Sequence, residues 1–155
     1  MPDTASGTAR VRSLFKRPES VLVVVYTLQL EVLLICRQSP AGFWQSVTGS
    51  LEPGETPALA ASRELAEETG IVVPVNDHGT SRTYPIQAAW RRRYAPGVVE
   101  NLEHEFSVQL PDRCEVVLDS SEHSEYCWLP IVEAIAKVSS CSNRAALQAI
   151  FKAEG

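Results

Sequence analysis

The sequence predicts a mixed α/β domain, and three observations carry that reading. Apolar, β-branched runs gather in the first third of the chain, a capped helix with an acidic face follows, and two segments of helical apolar spacing close it. No internal repeat or low-complexity block divides the 155 residues, a length that suits one domain with most of its apolar surface buried. That domain is placed at residues 14–155. The opening MPDTASGTARVRS is small and polar, lacks the apolar centre of a signal peptide, and reads as a flexible tail over residues 1–13.

The elements follow in order. SVLVVVYT, from Ser20, and LEVLLICR, from Leu30, read as neighbouring antiparallel strands rich in Val, Ile and Leu. QSPAGF makes a loop, and WQSVTG is a short strand that leads to GSLEPGETPALAASRELAEETGI. Within that stretch Thr56 and Pro57 form a cap and first-turn pair, Gly70 supplies a stop, and the helix should run from Pro57 to Thr69. Helical spacing gathers Ala58, Leu59, Ser62, Leu65, Ala66 and Thr69 on one side as the packed face, and Glu64, Glu67 and Glu68 on the other. IVVPV, from Ile71, is expected to leave as a strand. Two further strands should meet at a turn at Ala95-Pro96-Gly97. SEYCWLP reads as a strand ended by Pro130, and IVEAIAKV and SNRAALQAIFKA as helices, the second capped by Ser142.

Composition narrows the functional classes. The chain is 45% hydrophobic and 21% charged, which is ordinary globular chemistry, and its net charge of −5 argues against an extended nucleic-acid surface. The basic and aromatic run WRRRY, Trp90 to Tyr94, is read as strand, with Arg91 and Arg93 facing opposite to Arg92. The four cysteines show neither a CxxC pair nor zinc-ligand spacing, so reduced thiols in a cytoplasmic protein are expected. The apolar run from Val21 is broken by Thr27, Gln29 and Glu31 and is too short to span a membrane.

Clustered like charge on a helix costs only a few tenths of a kcal/mol per pair in water, roughly, so the three glutamates alone would describe a solvated face. Their setting says more. Gly49, Glu55, Arg63-Glu64-Leu65, Glu67-Glu68 and Gly70-Ile71 stand at the spacing GX5EX7REUXEEXGU, and in this the chain resembles the Nudix hydrolases at every fixed position. Independently, hydrolysing a diphosphate requires cations that neutralise phosphate oxygens and acidify a water, and clustered carboxylates suit hard divalent ions.

The resemblance implies the Nudix fold, a mixed β-sheet sandwiched between helices, and a pyrophosphohydrolase dependent on Mg2+, with Mn2+ as a substitute. It implies that Glu64, Glu67 and Glu68 are metal ligands or water activators and that Arg63 orients a glutamate, Glu55. It gives Gly49, Glu55 and Gly70 structural roles, with Gly54 serving the turn. Glu122, in SSEHSEY, matches the family's carboxylate outside the motif that completes the metal site and shares in catalysis. Glu125 competes for that part, and His123 is read as an exposed loop histidine.

FKRP, FWQSVTGSLEPGET, RRRYAPGV and CSNR further resemble the dihydroneopterin triphosphate pyrophosphohydrolases of bacterial folate synthesis. That likeness implies a small-molecule triphosphate substrate, hydrolysed to dihydroneopterin monophosphate and pyrophosphate. It carries substrate contacts onto Lys16, Arg37, Thr48, Tyr84, Pro85, Ile86, Gln87 and Ser140. Pro85 and Gln87 depart from the more acidic and aromatic family pattern, and Cys141 stands where an aromatic is expected. A general (d)NTP pyrophosphohydrolase is the same-class alternative, and a non-catalytic binding module the different-class one. No nucleic-acid or membrane partner is expected, and the chain should be a monomer or weak homodimer.

Overall fold

The central strand is apolar on both faces because both faces are covered. In the computed structural model, which describes residues 15–155, β1 (Glu19–Thr27) is buried from Ser20 to Thr27. Its neighbours are β2 (Glu31–Arg37), the two-residue β3 (Trp44–Gln45) and β4 (Val47–Ser50), followed by α1 (Pro57–Thr69). Then come β5 (Asn76–Pro85), a 3-10 helix (Ala88–Arg93), β6 (Glu100–Leu110), β7 (His123–Pro130), α2 (Ile131–Lys137) and α3 (Cys141–Glu154). The tail expected at residues 1–13 lies outside the described residues.

The strands form one seven-stranded mixed sheet with the path β3-β2-β1-β6-β5, while β4 pairs with β1 and β7 with β2. β1 runs parallel to β6, and the other pairings are antiparallel. Two cores fill the two faces. Val21, Val23, Val25, Leu33 and Ile35 pack with Phe106 and Val108 under Ala60, Ala61 and Leu65 of α1. Leu22, Val24, Val32 and Leu34 pack under Ile131 and Ala134 of α2 and Ala146, Leu147 and Ile150 of α3. The period of two along β1 thus sends alternate side chains to opposite helical layers, which is the sandwich the resemblance implied.

Five local expectations are corrected. IVVPV makes no ladder: Pro74 has no N–H to donate, and Val73 and Val75 pack on the core from an irregular segment before β5 begins. WRRRY is not a strand. β5 ends at Pro85 and the chain coils into the 3-10 helix, with Trp90 N–H donating to Gln87 (2.9 Å) and Tyr94 N–H to Arg91 (3.0 Å), so no strand alternation applies to the arginines. The turn at Ala95-Pro96-Gly97 is present, closed by Val98 N–H to Ala95 at 3.1 Å, but it ends a longer loop. The cap of α3 is Ser140, whose Oγ accepts from Asn143 N–H at 3.1 Å, while Ser142 lies inside the helix.

The fifth correction concerns which side of α1 packs. Its ends fall where expected: Thr56 Oγ1 accepts from Leu59 N–H at 3.3 Å, and Gly70 takes φ 77° as its N–H returns to Ala66. The buried residues, however, are Ala60, Ala61, Glu64, Leu65, Glu68 and Thr69, while Ala58 and Ser62 are exposed and Leu59 is 62% exposed. Ala60 and Ala61 let the helix settle on the sheet along an arc that includes two of the glutamates. The helix therefore turns Glu64 and Glu68 inward and leaves only Glu67 facing water.

Candidate active site

β4 delivers the chain to the site, and Gly49 is where the helix meets it. A Cβ on Gly49 would stand 2.1 Å from the Glu64 carboxyl carbon, so the missing side chain is the space that the carboxylate occupies. Arg63 then ties the loop to the helix. Its Nε and one terminal nitrogen grip both oxygens of Glu55 at 2.7 and 2.8 Å, that nitrogen also donates to the Ser50 carbonyl at 3.1 Å, and the other reaches Glu64 at 2.7 Å and Glu67 at 3.3 Å. The pairing holds Glu55 below the usual carboxylate range, and Glu55 also accepts the Glu52 N–H at 2.9 Å.

Glu68 is 4% exposed, and one of its oxygens is buried without a hydrogen-bond partner. Burial, with the nearby Glu64 and Glu122 carboxylates adding to it, pushes its pKa up to about 9 against a backbone hydrogen bond from Thr48. Burial likewise raises Glu64 to about 7, although Arg63 opposes the shift. Ligand atoms of Glu68, Glu122 and His123 lie within 4.8 Å of one another. Glu122 comes from the turn before β7, where its carbonyl accepts the Gln38 N–H at 2.8 Å and its own N–H bonds Asp119 at 3.0 Å.

His123 departs from the sequence reading. It is 4% exposed, the first residue of β7, with Nε2 3.5 Å from the Gln45 amide and Nδ1 unpartnered, and burial lowers its pKa. Strand alternation does not find it: Glu125, between His123 and the half-buried Cys127 at a period of two, is exposed, and the β2–β7 register shifts between Cys36 and Arg37. Glu125 is exposed on that strand, paired opposite Cys36, and stands outside the cluster. Glu64 and Glu67 are also outside that group of three, Glu67 with 56% of its side chain exposed.

The site opens into a cleft with two connected parts. One, of about 600 Å³, is lined by Glu64, Glu68, Glu122 and His123; the other, of about 290 Å³, by Leu22, Tyr84, Pro85, Ile86, Gln87 and Ser140. Lys16, Arg37, Thr48, Gly49 and Arg93 line both parts. Lys16 and Arg37 are each pushed below their usual pKa by burial and by Arg93 beside them, as three cations crowd one throat. The Arg37 guanidinium sits 5.0 Å above the Trp90 ring, and Trp90 meets Phe43 edge-on at 5.7 Å. Arg93 and Trp90, from the misread WRRRY run, are thus part of the cleft wall.

The carboxylate end fits a divalent cation: it crowds Glu64, Glu68 and Glu122 together, buries one oxygen without a donor, and offers oxygen ligands with one imidazole. A model of the NUDIX domain matches residues 16–147. The chain belongs to the Nudix family. Members of that family are hydrolases that use divalent metal ions on small-molecule phosphate compounds, and the carboxylates above are in keeping with it. This Nudix hydrolase is 41% identical over 140 residues to the dihydroneopterin triphosphate diphosphatase of Escherichia coli strain K12, spanning 86% of this chain and 92% of that protein. It is 36% identical over 147 residues to the dihydroneopterin triphosphate diphosphatase of Haemophilus influenzae, spanning 91% and 92%. The solved structure of the E. coli dihydroneopterin triphosphate pyrophosphohydrolase superposes with a TM-score of 0.83 at 41% identity, covering 87% of this chain and 95% of that one. Among the described residues no helix is long and apolar enough to cross a membrane.

Proposed function

We propose that this Nudix hydrolase converts 7,8-dihydroneopterin triphosphate to dihydroneopterin monophosphate and pyrophosphate, as a step toward folate in the cytoplasm. The observation that carries the reading is the two-part cleft, in which an acidic chamber and a slot holding Tyr84 and Ile86 communicate through Lys16, Arg37 and Arg93. A triphosphate attached to a flat heterocycle has that sequence of chemical demands. The relatives whose names carry this substrate support it.

Glu64, Glu68 and Glu122 would hold Mg2+, for which Mn2+ can substitute, and when bound the ion neutralises phosphate oxygens and acidifies a water. Arg63 fixes Glu64 and the motif loop, so that the carboxylates keep their positions as charge arrives. Glu67 stands at the water-facing edge of this group, within reach of Arg63, where a carboxylate can take a proton from an attacking water. Lys16 and Arg37 bind the phosphate chain, and Thr48 flanks it at the junction of the two parts. Tyr84, Pro85, Ile86, Gln87 and Ser140 enclose the pterin. The chain acts as a monomer or weak homodimer, without nucleic acid or membrane.

Incubation with dihydroneopterin triphosphate and Mg2+ should release pyrophosphate and the monophosphate. Equal or better kcat/KM for ordinary dNTPs would refute this substrate and leave a general nucleoside triphosphate pyrophosphohydrolase.

A further inference from the structure

The slot contains an acid that phosphate chemistry does not use. Glu103 on β6 is 5% exposed and lines the slot with Ser20, Leu22, Tyr84, Asn101 and Ser142. Among the described residues it makes no ion pair; the Ser142 hydroxyl is its hydrogen-bonding neighbour. Glu105, two residues along on the same face of β6, is the useful contrast. It is 3% exposed and is paired with both Arg82 and His78, as a carboxylate kept for the fold should be.

An unsatisfied acceptor lies beside Glu103. Asn101 is 1% exposed, its amide nitrogen donates to Ser20 Oγ at 2.7 Å and to Tyr84 OH at 3.1 Å, and its Oδ1 has no partner. This slot therefore presents a buried carboxylate without an ion-pair partner among the described residues and a buried carbonyl oxygen without a donor. Burial holds Glu103 above the usual carboxylate pKa, against the Ser142 hydrogen bond and the charge of Arg82.

We propose that Glu103 is a specificity-determining residue, its two oxygens accepting parallel N–H bonds from a ring edge that offers a ring N–H beside an exocyclic amino group. The inference rests on the substrate reading above, because a pterin carries that edge as N3–H and its 2-amino group. Guanine carries the same edge as N1–H and its 2-amino group. Adenine turns a ring acceptor toward the acid instead, and thymine flanks its N–H with two carbonyls, so each sets lone pairs against the carboxylate. Selection thus comes from repulsion as well as attraction. Asn101 Oδ1 is the further acceptor at the same end of the slot.

The test uses the full chain with Mg2+ and measures kcat and KM separately for dihydroneopterin triphosphate, dGTP, dITP and dATP. dITP keeps the ring N–H and lacks the 2-amino group. Wild-type protein should show a KM for dGTP about tenfold or more below that for dITP, the size of one hydrogen bond to a charged group. Glu103→Gln should raise KM for dihydroneopterin triphosphate and dGTP by about 10- to 100-fold, with a smaller change in kcat, and shift preference toward dATP. Fluorescence titration with neopterin, which has the donor edge and no phosphate, should show the same loss of affinity without any turnover.

Equal KM values for dGTP and dITP on wild-type protein would overturn the proposal even if Glu103→Gln failed to fold. So would a folded Glu103→Gln with unchanged KM for dihydroneopterin triphosphate and unchanged neopterin binding, in which case the substrate reading would survive alone. A wild-type enzyme that prefers dATP to dihydroneopterin triphosphate would overturn both.

Discussion

Arg63 joins four acceptor groups that belong to two separate pieces of chain: Glu55 and the Ser50 carbonyl in the loop, Glu64 and Glu67 on the helix. A lysine would keep the charge and lose the fork, so Arg63→Lys should cut kcat by about tenfold or more with the fold retained, checked by steady-state kinetics beside circular dichroism. Glu68 is a sharper case. Glu68→Gln should lower turnover by several orders of magnitude while the thermal midpoint holds or rises, because an amide removes one of three crowded carboxylates. Unchanged turnover would place Glu68 outside the metal site. Glu122→Gln should also reduce activity strongly and Glu125→Gln should not; the reverse result would reassign the carboxylate outside the motif. Gly49→Ala should be nearly inactive, since its Cβ would displace the Glu64 carboxyl.

At the scale of elements, the ends of α1 were legible because they are local chemistry: a hydroxyl that accepts an N–H, a proline that needs none, a glycine at φ 77°. Thr56→Ala should cost about 1 kcal/mol in a urea titration with little change in KM, as expected of a cap that touches no substrate. Which face packs was not legible. Hydrophobicity favoured Leu59 as core, yet the sheet takes Ala60 and Ala61 and leaves Leu59 in water, and only tertiary contact decides that. The same limit explains WRRRY, where a β-compatible composition coils because Pro85 ends the ladder, and His123, whose burial depends on Gln45 from a strand far away in sequence. The motif was readable from spacing, and the resemblance pointed to Tyr84 through Gln87 and to Ser140, which line the slot; Asn101, Glu103 and Ser142 were not readable, since they come from β6 and α3 with no shared signature.

For the whole molecule, the buried carboxylates link stability to pH and to cation. Glu64 and Glu68 are raised by burial to about 7 and about 9 from an ordinary 4.5, so above 4.5 the folded chain binds more protons than the unfolded one. Stability must then fall as pH rises through that window. Below pH 6.5 the buried His123, whose pKa is lowered, contributes the opposite sign, and Glu19 and Glu55, held low by His104 and Arg63, act only in more acid solution. In chelator, therefore, the thermal midpoint should drop between pH 6.5 and 8.5, and excess Mg2+ should recover most of the loss. A midpoint that stays level in chelator across that range would show that the two carboxylates are not strained by burial.

The parallel pairing of β1 with β6 sets a timetable for synthesis. Glu19 lies opposite Leu102 and Thr27 opposite Leu110, so one edge of the most apolar strand stays open until the chain has left the ribosome beyond β6. Until then β1, β2 and β4 form a small, apolar sheet with an unpaired edge, the kind of species that associates with copies of itself. A nascent chain halted before residue 100 should accordingly depend on chaperones and pellet without them, whereas one released after α3 should not. The active-site cleft, whose walls come from both sides of that late closure, is among the last features to exist.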